Sequence, residues 1–309
     1  MTNTQWRNKH VLVTGARGFI GTRLCGRLLH SGARVTGVSS TVVTRTADME
    51  WVKSDLADLK GVRSLIDRIQ PDLVFHLAGH VTGSQDVGNI APTFALNLGS
   101  TVHLLTALVE TGSRPIMLVG SMHENDDLPA DAVVCSPYAA AKTACAIYAR
   151  MFHGLYGLPV SIARPMMVYG PGQWDTTKLL PYVITSFLAG VSPAVTSGTR
   201  ELDWVYVDDV VEAFLTIVSM SAVVGRAVEL GSGTLTTVRD LVLEVGALID
   251  PGIPVRFGAM AERKLERPRA ARVEETKNLI GWRATTSLSE GLAATIAWHQ
   301  ELCASPKPV

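Results

Sequence analysis

The chain has 309 residues, is 47% hydrophobic, and balances 28 basic against 28 acidic side chains for a formal net charge of zero. That length suits one large domain or a large and a small one, and the charge balance favours neither nucleic acid nor an anionic membrane as partner. Cys25, Cys135, Cys145 and Cys303 lie far apart without metal-ligand spacing, so they read as reduced thiols of a cytoplasmic protein and no metal is expected. Residues 1–9 carry no signal-peptide core, and no apolar run is expected to approach the roughly 20 residues of a bilayer span.

In chain order, residues 11–21 come first. A short apolar run enters Gly15, Gly18 and Gly21, and an amphipathic stretch follows. This predicts a buried strand, a tight turn and a helix start. Gly15 allows the turn, Gly18 removes the Cβ that would block a diphosphate, and Gly21 lets the helix pack closely. The free N–H groups and positive dipole end of that helix then face phosphates. The helix, residues 19–31, shows Ile20, Leu24, Leu28 and Leu29 on one face and ends at Gly32. Strands are predicted at 34–38, 48–54, 73–79 (running into a small-residue loop), 116–121 and 160–165, with helices at 59–69, 91–110 and 137–156. Such alternation predicts a doubly wound parallel α/β sheet. Ligands of these sheets sit beyond the carboxyl ends of the strands, so Gly15, Ser39, Asp55, Ala78, Ser121 and Pro165 are expected along one crevice.

After Pro165 the rhythm changes. A turn is expected at 170–173, helices at 179–188, 208–220, 235–249 and 289–301, and a strand at 204–207. The expected division is a dinucleotide-binding domain, 1–165 with about 204–222, and a smaller substrate-binding lobe, 166–203 with 223–309.

Ser121, Tyr138 and Lys142 carry the chemistry. Tyr138 and Lys142 are spaced i, i+4 and share one helix face. An ammonium beside a phenol favours the phenolate, so Tyr138 can exchange a proton with a carbinol or carbonyl oxygen. Ser121 can donate a hydrogen bond to the same oxygen.

With these motifs the chain resembles the extended short-chain dehydrogenase/reductases, the nucleotide-sugar epimerase/dehydratase group. The resemblance rests on residues 14–21, Asp55-Leu56, 76–79, 97–100, 136–142, Arg164-Pro165, 168–172, 203–210 and Gly281-Trp282. It implies a Rossmann-type fold with a smaller C-terminal substrate-binding lobe. It also implies a cofactor held by Gly15, Arg17, Gly18, Phe19, Ile20 and Gly21, with Asp55 and Leu56 at the adenine. Leu77, Ala78, Gly79 and Pro165 would line the same cofactor. Ser121, Tyr138 and Lys142 would form the catalytic set, Lys142 also holding the nicotinamide ribose. The resemblance further implies a homodimer through two long helices.

An NAD enzyme of this kind usually has an acid at the end of the second strand. Here Ser39 and Ser40 stand there, and Arg17 and Arg45 lie near, able to clamp a phosphate. NADP(H) is therefore expected, with NAD(H) as alternative. Dehydratases of the group carry an Asp-Glu pair after the catalytic Ser or Thr; this chain has Met122, His123 and Glu124. Met122 is no acid, which argues against dehydration, whereas His123 or Glu124 can serve as an auxiliary group touching substrate. Met167 replaces a frequent Asn and Leu202 a frequent diphosphate-gripping Arg, leaving Arg200, Lys178, Arg267 or Arg269 for that task. The expected activity is reduction of a keto group on a nucleotide-activated deoxysugar. A nucleotide-sugar epimerase with bound NAD is the alternative, and a non-catalytic dinucleotide sensor a third reading.

Overall fold

The structure is a computed structural model that describes residues 4–41, 49–124 and 131–304. The chain forms two compact units. The first comprises Met1–Arg164, Val211–Glu229 and Asn278–Gly281, and the second Pro165–Val210, Leu230–Lys277 and Trp282–Val309.

The first unit is built on a seven-stranded sheet. Its strands are β1 (His10–Thr14), β2 (Arg34–Ser39), β3 (Glu50–Lys53), β4 (Leu73–His76), β5 (Ile116–Val119), β6 (Val160–Pro165) and β9 (Ala227–Leu230). Their order is β3-β2-β1-β4-β5-β6-β9. From β3 to β6 the pairing is parallel, β1 aligning Val11 with Val35 on one side and Leu73 on the other. Every residue of β1 is buried, as a central strand covered on both faces requires. Around the sheet lie α1 (Phe19–His30), α2 (Leu59–Ile69), α3 (Ile90–Thr93), α4 (Ser100–Glu110) and α5 (Pro137–Tyr156). Leu104, Leu105 and Leu108 of α4, Ile66 of α2 and Phe152 of α5 form one core with Leu12, Val74, Ile116 and Ile162 of the strands. Local signals delimit α5. Pro137 opens it, the Ser136 hydroxyl accepts the Ala139 N–H, and Gly157 closes it at φ +65°.

Several expectations change, among them the helix expected over 235–249, whose first residues form strand Leu235–Thr237. The helix predicted over 91–110 is interrupted by a π-helical stretch, Phe94–Gly99, between α3 and α4. The run Val87–Glu110 is also 24 residues long and apolar enough to span a bilayer, contrary to the expectation from sequence. Its later part is a core helix, with Leu104, Leu105 and Leu108 at zero exposure, while Val87, Ile90 and Phe94 in its first part are exposed. Segment 223–229, expected in the lobe, belongs to the first unit, because β9 joins the sheet beside β6 through Ile162 N–H to Arg226 O and Gly225 N–H to Val160 O.

The second unit contains a three-stranded sheet of β7 (Met167–Tyr169), β8 (Glu201–Tyr206) and β10 (Leu235–Thr237), in the order β10-β8-β7. Residues 204–210, expected with the dinucleotide domain, cluster here because β8 pairs with β7 and β10. The helices α6 (Leu179–Leu188), α8 (Val238–Ile249) and α10 (Leu288–Ala304) accompany the sheet, while α7 (Val207–Ile217) and α9 (Val273–Ile280) each begin in this unit and end in the first. The buried Asp203 carboxylate ties the second unit together, accepting from the N–H groups of Ser232, Gly233 and Ala271 and the Ser232 hydroxyl.

Candidate active site

The site is assembled at the carboxyl ends of β1, β2, β4 and β5. Gly15, at φ +68°, turns the chain directly after β1, and a Cβ there would come within 2.7 Å of Ala78 N and 2.8 Å of Leu77 C. Only glycine meets both conditions. At Gly21 a Cβ would run into Gly15 O, so α1 packs on its own turn. Gly18 is the N-cap of α1, with no side-chain cap and no acid in the first turn. A Cβ on Gly18 would meet nothing nearer than Gly15 O at 3.2 Å, so its outer side is open. Phe19 and Ile20, half-buried, open the helix. Uncapped N–H groups at an open glycine turn suit a diphosphate.

A polar chain supports the floor of this turn. The Thr101 hydroxyl donates to Asn97 O at 2.7 Å, and its oxygen lies 3.1 Å from His76 Nε2. The Thr14 hydroxyl lies 2.7 Å from His76 Nδ1 and accepts the Ala78 N–H at 3.1 Å. Since Thr101 spends its proton on Asn97, His76 donates from Nε2 and accepts at Nδ1, which assigns its tautomer. Burial, reinforced by the Lys142 charge, lowers the His76 pKa to about 3, so the ring is neutral. Asn97 accepts the His80 N–H and donates to the His80 carbonyl, and its Oδ1 occupies the space a Cβ on Gly79 would need. Leu77, Ala78 and Gly79 are thereby held beside Gly15.

At the end of β2, Ser39, Thr41 and Arg17 come together. Arg17 Nη1 donates to the Thr41 hydroxyl at 3.4 Å, and the Ser39 hydroxyl lies 3.3 Å from it. Ser40 is exposed, and Arg45 lies outside the described residues. Thr41 was not singled out from sequence; the hydroxyl-rich run 39–41 was its only signal. Asp55 is exposed and accepts the Ala57 N–H, while Leu56 is buried in the core.

Tyr138 and Lys142 are both buried on one face of α5. Lys142 Nζ donates to Val119 O at 2.6 Å and stands 5.9 Å from the centre of the Tyr138 ring. Ser121 follows β5, its hydroxyl accepting the His123 N–H and its carbonyl the Glu124 N–H. His123 is half-buried, with Nδ1 3.6 Å from Cys135 Sγ. Glu124 is no solvated loop residue. It accepts from Arg164 Nε at 2.7 Å, and both side chains are 1% exposed. Burial pushes the Glu124 carboxyl up, against the opposing pull of Arg164 and Lys142.

The remaining sequence candidates lie in the second unit, except that Pro165 also ends β6. Met167 is half-buried in β7, and Lys178 precedes α6 with Nζ 3.9 Å from Asp175. Arg200 is bound at 2.6 Å to Glu266, which is 7% exposed, and so is already committed to a carboxylate. Arg267 is exposed and Arg269 half-buried. Among the described residues no group of three or more His, Cys, Asp or Glu side chains could hold a metal.

The sequence pattern of the NAD dependent epimerase/dehydratase family matches residues 11–231. The chain is 32% identical to UDP-glucose 4-epimerase of Mycolicibacterium smegmatis, over 94% of its own length and 98% of the relative's. It is 29% identical to dTDP-glucose 4,6-dehydratase of Streptomyces antibioticus, over 94% and 92%. The crystal structure of UDP-glucose 4-epimerase from Thermotoga maritima, with UDP-glucose, has the same fold: TM-score 0.85 over 95% of this chain and 99% of that one, at 24% identity. The glycine turn, the Tyr138–Lys142 helix and these relatives agree: the chain belongs to the NAD-dependent epimerase/dehydratase family of extended short-chain dehydrogenase/reductases, and it is an enzyme.

Proposed function

We propose that the enzyme is an NADP(H)-dependent reductase of a keto group on a nucleotide-activated sugar. The observation that carries this reading is the end of β2, where Ser39, Thr41 and Arg17 gather without a carboxylate at Ser39. Two hydroxyls and a guanidinium can donate to a 2′-phosphate, whereas an acid there would repel it. When bound, the dinucleotide supplies the hydride. The Tyr138 phenol gives a proton to the substrate oxygen, and the Ser121 hydroxyl donates a hydrogen bond to that oxygen. Lys142 is anchored on Val119 O and stands beside the Tyr138 ring. Met122, buried and unable to act as an acid, disfavours dehydration. Lys178 and Arg267 are proposed to grip the diphosphate of the sugar nucleotide. A homodimer is proposed as the assembled form.

A second reading, 4-epimerisation with bound NAD, is favoured by the 32%-identical relative. Under it Tyr138 would first take the proton and then return it.

The test titrates NADPH and NADH and then supplies keto-sugar nucleotides and, separately, UDP-glucose. Ser39→Asp is expected to weaken NADPH binding at least about 10-fold, or about 1.4 kcal/mol, and NADH binding far less. Tyr138→Phe is expected to lose about 10²-fold or more in turnover while keeping dinucleotide affinity. Interconversion of UDP-glucose and UDP-galactose without net consumption of reduced dinucleotide sinks the reductase reading in favour of the epimerase.

A further inference from the structure

Glu124 and Arg164 are each 1% exposed, and a buried ion pair is not by itself stabilising, since apolar side chains of similar size fill such space as well. Its placement gives the pair a use. β5 ends at Val119, whose carbonyl accepts from Lys142 Nζ. The chain then turns back through the Glu124 N–H to Ser121 O bond, and the Glu124 carboxylate folds over Gly120, where a Cβ would lie 2.5 Å from Oε1. The glycine thus admits a carboxylate to the strand end where Lys142 is anchored.

Several titratable groups surround Lys142 and Glu124. His76 faces Lys142 from β4, Tyr138 and Cys145 share its helix, Arg164 reaches Glu124 from β6, and Glu229 is a further buried carboxylate on the neighbouring strand β9. His76 is neutral, and burial keeps the Cys145 thiol protonated. Lys142 and Arg164 are therefore two buried cations, and Glu124 interacts electrostatically with both.

We propose that Glu124 is a positioning residue, the shared counter-ion of Arg164 and Lys142, which holds the Lys142 ammonium charged and in place beside Tyr138. This rests on the reading of Tyr138 and Lys142 as the proton-handling pair at a bound dinucleotide. Without the carboxylate, Lys142 and Tyr138 both give up protons at lower pH, because a negative charge that opposed this has gone.

The experiment measures NADPH and NADH binding by fluorescence across pH, together with thermal unfolding, for the native enzyme, Glu124→Gln and Glu124→Asp. Gln keeps the shape and an oxygen for Arg164 Nε but removes the charge. The expected result is an alkaline midpoint of dinucleotide affinity about one pH unit lower in E124Q, with E124D at the native midpoint. A purely structural role would lower thermal stability and leave the midpoint unmoved; coincident E124Q and native midpoints overturn the proposal. So does an E124D midpoint displaced as far as that of E124Q. If E124Q does not fold, Glu124→Met, uncharged and of similar length, takes its place: a lowered midpoint supports the proposal and a native one overturns it. A native protein that binds neither dinucleotide removes the underlying functional reading, and the proposal with it.

Discussion

At the residue scale, the buried imidazole of His76 has a consequence for acid stability. Its folded-state pKa, about 3, lies below the ordinary value of 6.5. Below pH 6.5 the unfolded chain therefore takes up a proton that the folded chain refuses. Stability is fully present above that pH and is lost as pH falls toward 3. His10 and His299, also lowered by burial, act in the same direction. The His76 contribution to the loss is expected to be about 2 kcal/mol at pH 5, read as a lower midpoint of urea unfolding there than at pH 7. Equal midpoints would mean that the imidazole is not held neutral. The glycine turn beside it was legible in the sequence, because a positive φ and a close backbone approach leave glycine as the residue that fits. Glu124 was not legible. Its sequence neighbours mark a polar loop, whereas its partner Arg164 is 40 residues away and meets it only where two strand ends lie side by side.

At the element scale, the interrupted helix between residues 90 and 110 shows where periodicity stops being informative. A π-helical stretch inserts backbone without abolishing the apolar pattern, so the sequence reads as one helix. The stretch carries Asn97, whose amide bonds both the N–H and the carbonyl of His80. Asn97→Ala is therefore expected to cost about 1–3 kcal/mol of unfolding free energy. It should also weaken dinucleotide binding by loosening residues 77–80. Calorimetric titration checks this, and native affinity in a destabilised variant would separate the loop from the cofactor. By contrast α5 was delimited correctly from sequence, since Pro137, Ser136 and Gly157 mark its ends by local chemistry.

At the scale of the whole molecule, the proposed homodimer has a surface to use. Val87, Ile90 and Phe94 are 78%, 54% and 63% exposed, and Ile147 and Leu155 of α5 are 57% and 70% exposed. Scattered apolar residues are ordinary on a protein surface, but their concentration on two helical segments packed together is a mark of an interface. Phe94→Glu is expected to convert a dimer to monomers in sedimentation equilibrium; a native protein already monomeric at micromolar concentration would end the proposal. Sequence by itself determined the parallel α/β class, the glycine turn, the placement of Tyr138 and Lys142 on one helix, and the family. Each of these is written in short-range signals: strand-helix alternation, special φ values and i, i+4 spacing. Tertiary structure decided the rest. The order β3-β2-β1-β4-β5-β6-β9 brings Thr14 to His76, Arg17 to Thr41 and Glu124 to Arg164. Such pairings join residues 24 to 62 positions apart, and no local propensity encodes a distance across neighbouring strands.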